Sequence, residues 1–218
     1  MAPKYRQVSL IVKYNVVLFP FDSIEFQREL DTQGFILREP EEPIPLGTRR
    51  EISGSVARKG NVSVHLDTPR KVVGVHALDV ETALEEMDSL EALIKEEFGI
   101  DSSGMAEYYE FVAGVHIRAE RSPIESWSNI FENLPVIKKA SDIIGMDSTS
   151  FGIRLVPKGG VPNQVDWFDI RIEPLVQSAT DYHSVQVVYR RTSRDEVFAF
   201  VRGFDDHLAA LLSLVEQG

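Results

Sequence analysis

Hydrophobic and polar residues alternate near the start of the chain, and the alternation returns in its second half. At the start of the predicted strand 8–18, every second position is apolar or aromatic: Val8, Leu10, Val12, Tyr14 and Val16, opposite Ser9, Ile11, Lys13 and Asn15. Residues 108–119 repeat the pattern with Tyr109, Phe111, Ala113, Val115 and Ile117. Because successive side chains of a strand point to opposite faces, this alternation predicts two half-buried strands.

Helix signals follow the first of these strands and recur before the middle of the chain. Asp22 or Ser23 can cap a helix that continues through Leu30, and Gly34 suits its end. A longer helix is predicted between Asp79 and Gly99, where an apolar stripe lies opposite a Glu-rich side. The stripe consists of Val80, Ala83, Leu84, Met87, Leu90, Ile94 and Phe98.

Between these two helices the sequence predicts a loop and three strands. Residues 39–45 contain three prolines, which restrict the backbone and remove amide donors, so an exposed loop is expected. Strands at 50–58 and 62–67 flank Lys59-Gly60-Asn61, which is typical of a hairpin turn. A third strand is predicted at 70–77.

The second half predicts a similar order of elements. Ser122 and Pro123 begin a helix that runs through Leu134. Pro135 interrupts it, and a second helical piece at 136–144 stops at Gly145. Four strands and a closing helix follow: 149–156, 167–175, 183–190, 196–202 and, for the helix, 204–217. The last two strands are expected to form a hairpin around residues 191–195.

The two halves look like copies of one unit. Phe21–Glu25 and Arg121–Glu125 stand at corresponding helix starts. The apolar helices Leu90–Ile94 and Leu208–Leu212 occupy corresponding positions near the end of each half. Strands joined by short turns pair antiparallel, so both helices of a half are expected on one face of its sheet.

This pattern predicts repeats at residues 1–100 and 108–218, joined by a linker at 101–107. The expected fold class is α+β, with helices on one face of a curved antiparallel sheet. We favour one continuous sheet over two sheets side by side. In element order the whole chain resembles the duplicated fold of the TATA-box-binding proteins. The resemblance implies topology and no function, because the phenylalanine wedges and basic rim of a minor-groove binder are missing.

The amino-acid composition restricts the class of protein to which this chain can belong. The 218 residues are 43% hydrophobic and 26% charged, which is typical of a soluble globular chain that forms its own core. No apolar run reaches the roughly 18 residues of a membrane span, and the N-terminus lacks a secretion signal pattern. The chain contains no cysteine, which excludes disulfides and thiolate chemistry. We therefore expect a cytoplasmic protein.

The charge balance makes nucleic acid an improbable partner. The net charge is −11, and both halves are acidic. Phosphate contacts call for a basic surplus that neither half has.

The sheet face opposite the helices is the expected functional surface. Counting alternate positions puts six candidate ligand-binding residues on it: His116, Arg118, Arg154, Trp167, Arg171 and Arg190. The first half adds Lys13, Asn15, Ser63, His65, Asp67 and His76. Arginine forks on such a face suit an anionic ligand. The commoner alternative is a solvated face of cross-strand ion pairs, such as Arg171 with Asp169 or Glu173.

No motif specifies a reaction, a metal or a cofactor. The histidines lack the hydroxyl two residues later that a two-histidine phosphoesterase requires. The pair His65 and Asp67 and the run Asp205-Asp206-His207 offer metal-ligand types without a partner cluster, so no metal is predicted. Gly159-Gly160 lacks the phosphate-loop pattern and is interpreted as a turn.

We therefore favour a non-catalytic module that acts by protein–protein contact or self-association. Edge strands at 70–77 and 196–202 are the predicted contact elements, because an exposed edge can pair with another chain. A protein that binds a small anionic ligand in a groove between the repeats, as an enzyme or a carrier, is the first alternative. Nucleic-acid binding on the open sheet face is the second.

Overall fold

The computed structural model describes residues 3–15, 20–21, 23–38, 51–162 and 164–217. Its strands are β1 (Lys4–Tyr14), β2 (Ile36–Leu37), β3 (Ser53–Lys59), β4 (Val62–Asp67), β5 (Val72–Ala77), β6 (Ala106–Arg118), β7 (Ile153–Leu155), β8 (Trp167–Pro174) and β9 (Tyr182–Arg191). Its helices are α1 (Ile24–Thr32), α2 (Val80–Phe98), α3 (Pro123–Phe131), α4 (Pro135–Ile144), α5 (Arg194–Arg202) and α6 (Phe204–Gln217). The predicted proline-rich loop at 39–45 and the candidate cap Asp22 lie outside the described residues.

All nine strands of the described chain form one antiparallel sheet in the order β2-β3-β4-β5-β1-β6-β9-β8-β7. The two strands predicted from the alternating pattern are neighbours at its centre. They pair from Lys4 opposite His116 to Tyr14 opposite Ala106. The expectation of one continuous antiparallel sheet in an α+β fold is therefore confirmed.

The helices cover one face of this sheet. Strand residues on that face, such as Leu10, Val75 and Phe111, are at most 2% exposed and belong to one hydrophobic core. Helix α2 packs on β1, β4 and β5, whereas α5 packs on β6 and β9. Because α2 also contacts α5, the helices form a layer that spans the middle of the sheet.

Local signals in the sequence determine where several helices begin and end. The Asp79 carboxylate accepts a hydrogen bond of 2.8 Å from the Thr82 amide at the start of α2. Gly99 ends the same helix with a φ of 66°, a left-handed conformation that glycine adopts without strain. Ser23 caps α1 through the Phe26 amide at 3.1 Å, and Pro123 occupies the first turn of α3.

The prediction of two edge strands is wrong. Residues 196–202 lie in helix α5, so the predicted hairpin at 191–195 is absent too. Residues Val72–Ala77 do form a strand, but β5 lies between β4 and β1 and has no free edge. Among the described strands the edges are β2, which the sequence did not predict, and β7, which is shorter than the predicted 149–156.

The remaining segments agree with the predicted organisation or leave it untested. Ser103–Met105 forms one 3-10 turn within the predicted linker, and β6 begins directly after it. Among the described residues no helix combines the length and the apolar character needed to cross a membrane.

Candidate functional site

The sheet face opposite the helices, called the open face below, carries mostly polar side chains. Strand pairing places a residue of each strand directly beside a residue of the neighbouring strand across this face. One such row runs from His65 through Gly74, Ile11, Glu110 and Arg190 to Trp167. The sequence-predicted residues on alternate strand positions therefore share the open face.

A network of uncharged polar groups occupies its centre. The Gln7 Nε2 donates to Ser9 Oγ at 3.1 Å, and Ser9 Oγ lies 3.2 Å from His76 Nδ1. The His76 ring stacks on the His65 ring at 3.8 Å between centroids, and His65 Nε2 lies 3.0 Å from Ser63 Oγ. This chain of contacts joins three neighbouring strands, β1, β5 and β4.

Both imidazoles in this network are uncharged at neutral pH. Burial lowers the pKa of His76 to about 4, and the neighbouring His65 lowers it in the same direction. Burial also lowers the pKa of His65. A neutral pair can donate and accept hydrogen bonds, but it provides no positive charge for an anion.

Arg190 and Trp167 are cross-strand neighbours on β9 and β8. The Arg190 guanidinium donates to Glu110 at 2.7 Å and lies 4.3 Å from the centre of the Tyr108 ring. Trp167 is only 6% exposed, although it lies outside the core that the helices cover. Both side chains are therefore held in place, and Arg190 is already neutralised by a carboxylate.

Arg154 and Arg171 are neighbours at the β7 end of the sheet. Arg154 binds the Asp169 carboxylate through two hydrogen bonds, the one from Nε being 2.8 Å long. The hydrogen bond from Arg154 holds the pKa of Asp169 below its usual value. Arg171 is exposed and forms no ion pair in the described part of the chain, although its charge also helps to lower the pKa of Asp169.

His116 and Arg118 lie on β6, away from the other four candidates. His116 pairs with Lys4 and Ser184, and burial lowers its pKa, with Arg6 and Lys4 contributing. Arg118, at the end of the strand, lines a cavity of about 570 Å³ beside α6. The structure thus groups the predicted residues into three pairs rather than into one cluster.

The described residues contain no group of three or more metal-ligating side chains placed to hold an ion. Of the two sequences with metal-ligand types, Asp205 accepts a hydrogen bond from the Tyr5 hydroxyl. Asp67 accepts one from the Arg70 amide at 3.0 Å.

A patch of exposed apolar residues, which the sequence did not single out, lies on and around α4. No residue of α4 is buried. The patch, called the α4 patch below, consists of Leu134 (40% exposed), Val136 (65%), Ile143 (86%), Ile144 (64%) and Met146 (70%). Val136, Lys139 and Ile143 lie on one side of the helix because of their spacing in the sequence. This spacing is the signal that would have revealed an exposed stripe with two apolar residues.

The same part of the chain continues to the edge of the sheet. Phe151 and Val156, on either side of β7, are 44% and 42% exposed. Eight of the fifteen exposed large hydrophobic residues in the described chain fall between Leu134 and Val161. Such concentration distinguishes this segment from the scattered apolar residues found on any protein surface.

A cleft of about 670 Å³ separates α2 from α5 and the start of α6. We call it the α2–α5 cleft. Its apolar lining residues are Val80, Leu84 and Val201, and its carboxylates are Asp79, Glu81, Glu85, Asp88 and Asp205. Arg202 is the one arginine in the lining. The cleft is therefore an acidic depression in the helix layer, on the side of the molecule opposite the open face.

Comparison with known families finds no family model that matches this sequence, and comparison with curated proteins finds no significant match. A function must therefore be argued from the geometry of these surfaces.

Proposed function

We propose that this protein is a non-catalytic binding protein that acts through contact with a second copy of itself. The observation that carries the proposal is the exposure of the α4 patch. Ile143 is 86% exposed and Met146 is 70% exposed, although both are fully apolar side chains. Monomeric proteins seldom expose contiguous apolar surface of this kind, and burying it in a contact is favourable by about 25 cal/mol per Å².

The edge strand β7 is a second reason to place the contact in this part of the molecule. Among the described strands it pairs only with β8, so its outer edge offers backbone groups that can pair with another chain. Because β7 follows the α4 patch closely in the sequence, side-chain and backbone contacts would be made by one continuous segment.

Charge favours a second copy as the partner. Residues 134–161 carry four basic and two acidic residues, whereas the rest of the chain carries 19 basic and 32 acidic residues. The segment is thus positive on a strongly negative molecule. A second copy offers the opposite charge over most of its surface, which steers the two together.

Sedimentation velocity across a concentration series tests self-association. The wild-type chain should shift from its monomer mass of 24.6 kDa to larger species, and Ile143→Asp should remain monomeric. Leu214→Asp is the matched control, since Leu214 is an apolar residue on another helix and is 70% exposed. A wild-type protein that stays monomeric at every concentration contradicts the proposal.

We also propose that the two halves are copies of one unit, with the element order of the TATA-box-binding proteins. The support is the arrangement of strands: β1 and β6 are central, β5 and β9 flank them, and β4 and β8 come next. A helix follows the last of these strands in each half. Superposing residues 1–100 on residues 108–218 tests the idea, and unrelated connectivity would overturn it.

An anionic small molecule on the open face is the second candidate, favoured by the exposed Arg171, which lies beside Arg154 and forms no ion pair with the described residues. Inorganic phosphate and citrate should then raise the melting temperature of the wild type and not of Arg171→Ala. Arg28→Ala, which changes an exposed arginine on α1, is the control. If neither anion shifts the wild-type melting temperature, this candidate is wrong.

A further inference from the structure

The outward stripe of α4 combines apolar anchors with unpaired positive charge. Val136, Lys139 and Ile143 lie along one line of the helix, at positions i, i+3 and i+7. Lys138 lies on the other side of the helix. Lys139 has no carboxylate within ion-pair distance among the described residues, although Asp142 follows it by three residues. Within the part of the chain that the structure describes, the stripe therefore has no apolar cover and no ion-pair partner.

The α2–α5 cleft has the complementary character. Three of its carboxylates are engaged: Asp79 caps α2, Asp88 pairs with Arg194, and Asp205 accepts from Tyr5. The other two, Glu81 and Glu85, are exposed and have no ion pair or hydrogen bond in the described structure. They stand one turn apart on α2, beside the apolar lining at Val80 and Leu84.

Contact between two α4 helices explains these features less well. A twofold contact would bring Lys139 of both copies to the same interface, where like charges repel. It would leave Glu81 and Glu85 uncompensated as well. Docking in the cleft instead places Lys139 near these carboxylates and the apolar anchors beside Val80, the apolar lining residue that is not buried.

We propose that α4 of one copy docks in the α2–α5 cleft of a second copy, so that the chains associate head to tail. The proposal rests on the self-association proposed above and identifies its receiving surface. Each copy then has one donor surface and one acceptor surface. Such an interface closes into a ring or grows into an open chain, because it does not pair identical patches.

Two variants that block opposite surfaces test the docking. Ile143→Asp removes the donor and leaves the cleft intact, whereas Glu81→Lys/Glu85→Lys reverses the charge of the cleft and leaves α4 intact. Each variant alone should sediment as a 24.6 kDa monomer. Their mixture should form a 1:1 dimer of twice that mass, which cannot grow because its remaining donor and acceptor are both blocked. Circular dichroism of each variant checks that it is folded.

The control is Glu96→Lys/Glu97→Lys, which makes the same charge change on exposed positions of α2 outside the cleft. It should associate like the wild type. If the wild type associates but the mixture stays monomeric, or if Glu81→Lys/Glu85→Lys associates normally, then the cleft is not the receptor although self-association stands. If the wild type itself stays monomeric, the proposed function fails first.

Discussion

The stacked rings of His65 and His76, 3.8 Å apart between centroids, make the centre of the open face sensitive to acid. Burial lowers the pKa of His76 to about 4 in the folded chain, below its ordinary value of 6.5. The unfolded chain therefore binds the proton more readily. The stabilising contribution is complete above pH 6.5 and is lost as the pH falls through 4.

His76→Asn removes this titratable group, so the free energy of unfolding of the variant should fall less in acid than that of the wild type. Because the site is partly exposed, the difference in free energy of unfolding between wild type and variant should shrink by about 2 kcal/mol from pH 7 to pH 4. Urea unfolding at both pH values measures it, with His207→Asn on α6 as the control. A constant gap would contradict the lowered pKa.

Two glycines on the same face provide a matched test of how tightly it is packed. A Cβ on Gly74 would lie 3.3 Å from both Ile11 Cγ1 and the Leu10 carbonyl oxygen, whereas a Cβ on Gly114 would meet nothing within 4 Å. Gly74→Ala should therefore lower the free energy of unfolding by about 1–2 kcal/mol, and Gly114→Ala should change it little. Chemical denaturation compares them. Equal effects would mean that the strands adjust freely around Gly74.

At the scale of elements, one arginine joins the two central helices of the helix layer. Arg194 at the start of α5 donates to Glu91 of α2 at 2.8 Å and also pairs with Asp88. Glu91 is half-buried and its Oε1 has no hydrogen-bond partner among the described residues. Burial raises the pKa of Glu91, and Arg194 opposes that rise.

Arg194→Ala should therefore destabilise the protein by about 3 kcal/mol at pH 7, because it leaves Glu91 ionised without its cation. The pKa of Glu91 then rises further above its unfolded value, so the loss should diminish as the pH falls toward 5. Combining the change with Glu91→Gln should restore most of the stability at pH 7. Thermal unfolding of both variants, with Arg202→Ala as control, measures this. A loss independent of pH would argue against the role of Glu91.

The elements that were predicted correctly have strong local signals. The cap at Asp79 and the stop at Gly99 define α2 within the sequence itself. Helix α5 was missed because its valines and phenylalanines favour a strand. The stretch Ser193-Arg194-Asp195-Glu196 has the spacing of a capping box, and the Ser193 hydroxyl accepts a hydrogen bond of 3.3 Å from the Glu196 amide. This sign of a helix start should outweigh the strand propensity of the apolar residues that follow.

Long-range register explains the other differences. Alternation within a strand predicted which residues face away from the helices, including Arg154 and Arg190. It did not predict their partners, because Arg190 meets Glu110 from a strand 80 residues earlier and Asp169 pairs with Arg154 rather than Arg171. The position of β5 inside the sheet likewise depends on its pairing with β1, a strand about 60 residues earlier in the same half. Such contacts are decided by tertiary packing rather than by local sequence.

At the scale of the whole molecule, the sheet separates two surfaces of different kinds. Besides the exposed Arg171, the open face carries mostly neutral or paired polar groups, such as the His65–His76 network and the Arg190–Glu110 pair. The exposed apolar residues of the α4 patch and the carboxylates Glu81 and Glu85 of the α2–α5 cleft lie away from this face. Association is therefore expected through these surfaces rather than through the edge strands at 70–77 and 196–202 that the sequence pattern favoured.

Salt should weaken that association. Docking of α4 in the cleft brings Lys139 near Glu81 and Glu85, and salt screens exposed charges of this kind. The two contacts contribute about 1 kcal/mol together, so raising sodium chloride from about 50 to about 500 mM should weaken binding roughly fivefold. An apolar contact between two α4 helices with repelling lysines would strengthen instead. Sedimentation equilibrium at both salt concentrations measures the change, and Lys139→Glu should weaken association at either one.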